Sequence, residues 1–457
     1  MINQKHLTAA TTLRGLLLLV AALLPSLASV AGAQQTGSVT VRTMSTPPGV
    51  FVIRNARIVT VSGADIDNGT LVIRNGRVEA VGAAASVSAP AGAQEIDARG
   101  LSVYPGMIDA ATNLGLIEIG AVAATVDTTE VGDMNPHAQA LVAVNPHNAA
   151  VDVTRVVGVT NVVTMPLGGV ISGQAAVINL NGTTPGEMAV TPSAALVIDF
   201  PRAAGGVGFF AQPQPPNLTE TIQTRDRQIE RLRNMLRDAE AYGRAHDAYR
   251  NDARLPRPDV NTTLAALVPY VRGERPVMFR AERERDIRAA VRFADEMKLK
   301  PIIIGGNEAS QAAPLLKERD VPVILTGTLD LPPREDDHYD VLYENAAKLQ
   351  RAGVRFCIST GDTGAQVRNL PFHAGMAAAF GLPRAEALKA VTLYPARIMN
   401  VGDRLGSIEP GKIANLVITD GDLLEARTNV RYLFIEGRQI PLVSRHTELY
   451  DQFKDRK

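Results

Sequence analysis

Two β-rich segments near the ends of the chain bracket a middle of alternating strands and helices, and this order limits the possible folds most sharply. Residues 52–61 are rich in β-branched side chains, and 71–81 reads as two strands about Asn75-Gly76, a dipeptide suited to a tight hairpin. The same texture returns at 413–419 and at 430–441, where a second hairpin is expected to turn at Glu436-Gly437. Between the two ends, apolar runs at 162–165, 195–200, 301–304, 322–325 and 355–359 read as buried parallel strands. Helical patterns at 285–297, 309–319, 339–352 and 375–380 separate them. An eight-stranded barrel or a doubly wound sheet would suit this alternation, and the length of the middle together with the split β ends favours the barrel. The expected fold is therefore α/β. A (β/α)8 TIM-like barrel over 107–402 joins a small β-sandwich domain built from 34–106 and 403–445.

A chain of 457 residues exceeds the usual single-core limit, in keeping with two domains. Its 47 basic and 47 acidic residues balance, so charge gives no sign of a nucleic-acid partner. Residues 1–33 read as a secretory signal: Lys5 and Arg14, a short apolar run, then Ala31-Gly32-Ala33 before Gln34. The apolar run is too short to span a bilayer, and no later stretch is long enough. An exported protein, periplasmic or extracellular, without a transmembrane segment after cleavage is expected. A charged helix over 219–250 interrupts the middle, fenced by Pro-rich loops at 212–216 and 255–258. It is either a solvated helix or a contact for a partner.

Three segments in order resemble the amidohydrolase superfamily, the metal-dependent hydrolases related to dihydroorotase and imidazolonepropionase. They are Ile96-Asp97-Ala98-Arg99-Gly100-Leu101 with Tyr104-Pro105-Gly106-Met107-Ile108-Asp109; Leu393-Tyr394-Pro395-Ala396-Arg397; and 405–417, from Leu405-Gly406-Ser407 to Asn415-Leu416-Val417. The resemblance runs from about residue 50 to 440. It implies a barrel with one or two divalent metals, commonly zinc, at the carboxyl ends of the strands, and hydrolysis of amide or dipeptide-like carbon–nitrogen bonds.

The ligands that the resemblance implies are mostly replaced. The first-strand His-x-His positions hold Ala111 and Asn113, and the fifth-strand histidine position holds Arg280, which stays protonated. The sixth strand offers Gly305, and the fourth has Asp199 as its only acid. No lysine lies between Lys5 and Lys298 to serve as a bridge. The eighth-strand aspartate corresponds to Asp362. None of the seven histidines shows metal-ligand spacing, so no metal cofactor is expected.

If Arg280 and Asp362 both face inward, a guanidinium–carboxylate pair fills the former metal pocket, and these two are the candidate catalytic residues. Asn113, Arg368, Asn369 and His373 are candidate ligand contacts at the barrel mouth. The glycine-rich stretch 160–178 is expected to form a mobile loop there. Cys357 lies in an apolar strand and reads as inert. The pattern fits a divergent hydrolase acting on a small molecule. It fits equally a non-catalytic binding module, self-associated or paired with an active homologue.

Overall fold

The computed structural model describes residues 49–202 and 218–456, so the secretory signal expected at 1–33 and the Pro-rich stretch 212–216 lie outside the described residues. Both β-rich ends join one eight-stranded sheet. Its strands are β1 (Phe51–Ile58), β2 (Ile66–Arg74), β3 (Arg77–Ala83), β4 (Gln94–Asp97) and β5 (Ser102–Pro105) from the first end. From the other end come β14 (Leu416–Thr419), β15 (Val430–Ile435) and β16 (Arg438–Ile440). The order is β16-β15-β14-β5-β1-β2-β3, with β4 paired to β1. The two ends of the chain meet where β5 and β14 run antiparallel, with Leu416 opposite Pro105.

This sheet curls until its outermost hairpins touch. Asn75-Gly76 and Glu436-Gly437 both turn in the left-handed region. The Gly76 carbonyl accepts from Ala414 N, and the Ala414 carbonyl accepts from Gly437 N. A side chain on Gly437 would lie 2.8 Å from Gly76 Cα. Curling encloses a compact core of Phe51, Ile53, Ile73, Leu416 and Phe434, with the rings of Phe51 and Phe434 edge to face at 5.1 Å. Glu436 is an unusual residue for a left-handed turn position. Its carboxylate accepts from Asn179 Nδ2 at 2.9 Å and its backbone N–H reaches Asn415 Oδ1, tying the turn to the barrel.

The middle forms a second eight-stranded sheet, β6 to β13, in which each strand pairs with the next in chain order. The strands are β6 (Met107–Thr112), β7 (Val159–Thr164), β8 (Ile171–Asn179), β9 (Ala189–Asp199), β10 (Val277–Ala281), β11 (Pro301–Gly305), β12 (Val323–Leu325) and β13 (Phe356–Ile358). This is a TIM-like barrel, nearly closed. Its one departure from the all-parallel form is β8, which runs antiparallel to both neighbours. The cause is connection length: only residues 165–170 separate β7 from β8, too few for a crossover helix. The stretch 160–178 is thus a buried strand pair about the Gly168-Gly169 turn, not the mobile mouth loop that its glycines suggest.

Inward side chains fill the barrel, among them Val163, Val177, Val197, Met278, Ile302, Ile304, Ile324 and Cys357. Ile398, Met399, Val401 and Leu405 pack against the same cluster. The charged insertion is a helix over Leu218–Asn251. It buries Leu232, Leu236, Ala239 and Gly243, one stripe at helical spacing, while Arg233 reaches Glu296 at 2.7 Å. Among the described residues no helix is long and apolar enough to cross a membrane.

Candidate functional site at the barrel mouth

Strand alternation sets the site. On β10, Met278 faces the barrel interior, so Arg280 and, just past the strand, Glu282 continue the same face toward the carboxyl end. Asp199 ends β9 and is the register partner of Arg280 on that face. From the connection after β13, Asp362 crosses to Arg280, with Arg280 Nη1 donating to Asp362 Oδ2 at 2.7 Å. The Arg280 side chain is 16% exposed and that of Asp362 42%. Arg280 Nη2 and Asp362 Oδ1 are buried without a partner among the described residues.

Glu282 joins this pair and is absent from the sequence-derived candidates. Its carboxylate lies directly over Gly305, where an added Cβ would come within 2.2 Å of Oε1. One long bond of 3.4 Å from Asn307 N reaches Oε2. Burial raises the Glu282 carboxyl to about 7, against the opposing pull of Asn307 N–H and the guanidiniums of Arg280 and Arg202. Burial also raises Asp199, again partly offset by Arg280 and Arg202. The signal for Glu282 was its spacing: two residues beyond an inward arginine, alternation returns a side chain to the same face.

The remaining candidates divide by burial. Ala111 and Asn113 are both buried, and Asn113 Oδ1 accepts from Gly364 N at 2.7 Å, which fixes the connection that carries Asp362. His373 is buried on the helix Leu370–Ala379; burial lowers it to about 4, and its Nδ1 has no partner among the described residues. Arg368 and Asn369 are half-buried just before that helix, where Asn369 Nδ2 donates to Gln366. Cys357 is buried and its thiol is pushed up by desolvation. A cavity of about 310 Å³ lined by Val354, Phe356, Tyr394 and Arg397 opens at the amino end of β13, the opposite end from Asp362.

The Amidohydrolase family model matches residues 287–440, from the helix after β10 through β16. An amidohydrolase from Thermotoga maritima superposes with a TM-score of 0.75 at 25% identity, covering 86% of this chain and 99% of that one. Over residues 287–440 the chain matches the amidohydrolase family, and its fold is that of an amidohydrolase. A prolidase solved with N-methylphosphonate-L-proline shares the fold at 19% identity and a TM-score of 0.53, covering 86% of this chain and 99% of that one. A 37-residue stretch is 57% identical to N-acetylglucosamine-6-phosphate deacetylase of Haemophilus influenzae, covering 8% of this chain and 10% of that enzyme. The match thus spans about a tenth of this curated relative's length.

The residues at the mouth do not fit the zinc that the superfamily implies. Zinc needs several imidazole, thiolate or carboxylate donors converging on one point. Among the described residues no group of three or more His, Cys, Asp or Glu is so arranged. The donor set around Asp362 is headed by a guanidinium, which carries a permanent positive charge and no lone pair to give.

Proposed function

We propose that this protein is an exported member of the superfamily that binds a small molecule at its barrel mouth without metal-dependent hydrolysis. One observation carries this reading: Arg280 Nη1 sits 2.7 Å from Asp362 Oδ2. A cation is thereby built into the chain beside the one surviving aspartate, and Asn113 and Gly364 hold that aspartate's connection in place. Export is supported by the basic, apolar and small-residue segments within 1–33. Elemental analysis of protein purified without chelator tests the metal part. Less than a tenth of an equivalent of zinc per chain is expected, and a stoichiometric, tightly held ion would sink the reading.

A second reading is a metal-independent hydrolase of carbon–nitrogen bonds, favoured by the unspent donor at Arg280 Nη2. Arg280 would polarise the substrate carbonyl while Asp362 positions water as base. Turnover by metal-free protein, abolished by Asp362→Ala, would establish it over simple binding.

A further inference from the structure

The amino end of the barrel carries a cavity that the chemistry of the mouth does not use. It lies between the start of β13, the end of the helix Asn345–Ala352 and one face of the helix Leu393–Ile398. Tyr394, Arg397 and Ile398 share that face at helical spacing. Val354, Phe356 and Ile398 are buried, and the rings of Phe356 and Tyr394 meet edge to face at 6.2 Å, so the walls are apolar. The volume of about 310 Å³ exceeds the roughly 150 Å³ that suffices to hold a benzene ring.

The charged groups around this space are unequal. Arg355 is committed to Asp320, donating from Nε to Oδ1 at 2.7 Å and from Nη2 to the carbonyl at 2.6 Å. Glu386 is committed too, with one oxygen accepting from Lys389 Nζ at 2.9 Å and the other from the Tyr394 hydroxyl. Arg397 has no ion pair and no side-chain hydrogen bond among the described residues, and neither does the Gln350 amide. Arg397 is also the exposed member, at the rim of apolar walls. A cationic ligand would meet its uncompensated charge and find both oxygens of Glu386 taken. An anionic group would find a guanidinium with its whole donor fork unspent.

We propose that this cavity is a second ligand site, at the opposite end of the barrel from Asp362, for a small monocarboxylate with an apolar body. The ring or branched chain lies against Phe356, Tyr394 and Ile398, and the carboxylate pairs with Arg397, with the Gln350 amide as a further donor.

Titration calorimetry on the full chain tests this with three probes of one shape: 3-phenylpropionate, its neutral amide 3-phenylpropionamide and the cation 3-phenylpropylamine. The carboxylate is expected to bind one per chain, and the other two at least about tenfold more weakly. Arg397→Met should weaken 3-phenylpropionate by about tenfold or more and leave the amide unchanged. Val354→Phe should abolish binding by filling the cavity with every charge retained. Thermal melting verifies that each variant is folded, and if Val354→Phe is not, Gln350→Trp fills the same space from a half-buried helix position. Absence of 3-phenylpropionate binding, equal binding of the amide or the amine, or binding retained in Arg397→Met or in a folded cavity-filled variant overturns the proposal. Binding lost in Arg280→Met but kept in Arg397→Met would put the probe at the mouth and overturn it as well.

Discussion

Asp109 on the first barrel strand accepts two hydrogen bonds from Thr360 beyond the last, one from its backbone N–H at 3.1 Å and one from its hydroxyl at 2.6 Å. Ser359 adds a third through its hydroxyl. β6 and β13 share no ladder, so the barrel's seam is held through side chains: this carboxylate, the Ser359 hydroxyl bonded to the Ala111 backbone, and Asn113 bonded to Gly364 N. Asp109→Ala would leave those donors buried and unmet, and should destabilise the fold by about 2–4 kcal/mol in urea unfolding.

The same carboxylate gives a pH dependence with a definite sign. Burial raises Asp109 from 3.8 to about 6, despite the bonds from Ser359 and Thr360. Between those values the folded state holds a proton that the unfolded state has released, so stability falls as pH climbs through this window and is level above it. His373 acts oppositely. Burial lowers it from 6.5 to about 4, so the unfolded state binds the extra proton and stability is lost as pH falls through that range. The two slopes oppose each other in the native chain. Relative to the native chain, unfolding midpoints from pH 4 to 6.5 should tilt toward falling with pH in His373→Leu and toward rising with pH in Asp109→Asn, on a background to which Glu282, raised to about 7, adds a further fall. Identical profiles in the two variants would contradict the assignment.

Arg280 and Asp362 should show a coupling of about 1–2 kcal/mol in a double-mutant cycle, modest because Asp362 is partly solvated. The single variants should be unequal. Arg280→Met strips the nearest cation from Asp199, Glu282 and Asp362 together, whereas Asp362→Asn leaves Arg280 beside Asp199. Chemical denaturation should find Arg280→Met the more damaging.

Gly437 has φ +68° and no room for a methyl group beside Gly76. Gly437→Ala should cost about 2 kcal/mol or more, combining a left-handed backbone with a backbone clash. Gly411 also has a positive φ but nothing within 4 Å of an added Cβ, so Gly411→Ala should cost about 1 kcal/mol. Melting temperatures of the pair separate the two contributions.

Much of the fold was legible because local chemistry and global position agree. Asn75-Gly76 and Glu436-Gly437 read as turns in the sequence, and both are turns. Arg280 and Asp362 could be paired from their places on strands five and eight of the expected barrel. The reversal of β8 was hidden because glycines at 168, 169 and 173 signal irregular backbone without saying whether it is a loop or a strand. Alternation placed Glu282 two residues beyond Arg280, but what it meets there, the open space above Gly305, is a relation between two strands. Asn113 pointed to the mouth by alternation, yet its bond to Gly364 depends on how the last connection folds back.

The meeting of β5 with β14 also sets an order of events. Pro105 and Leu416 are neighbours in space, and nearly the whole barrel is made between them. During synthesis β1 to β5 therefore wait with the edge of β5 unpaired, and the long loop that must close makes this docking slow. A chain stopped short of residue 416 would contain every barrel strand and still present that open edge to its neighbours. Loss of the last few dozen residues should thus be felt first as aggregation.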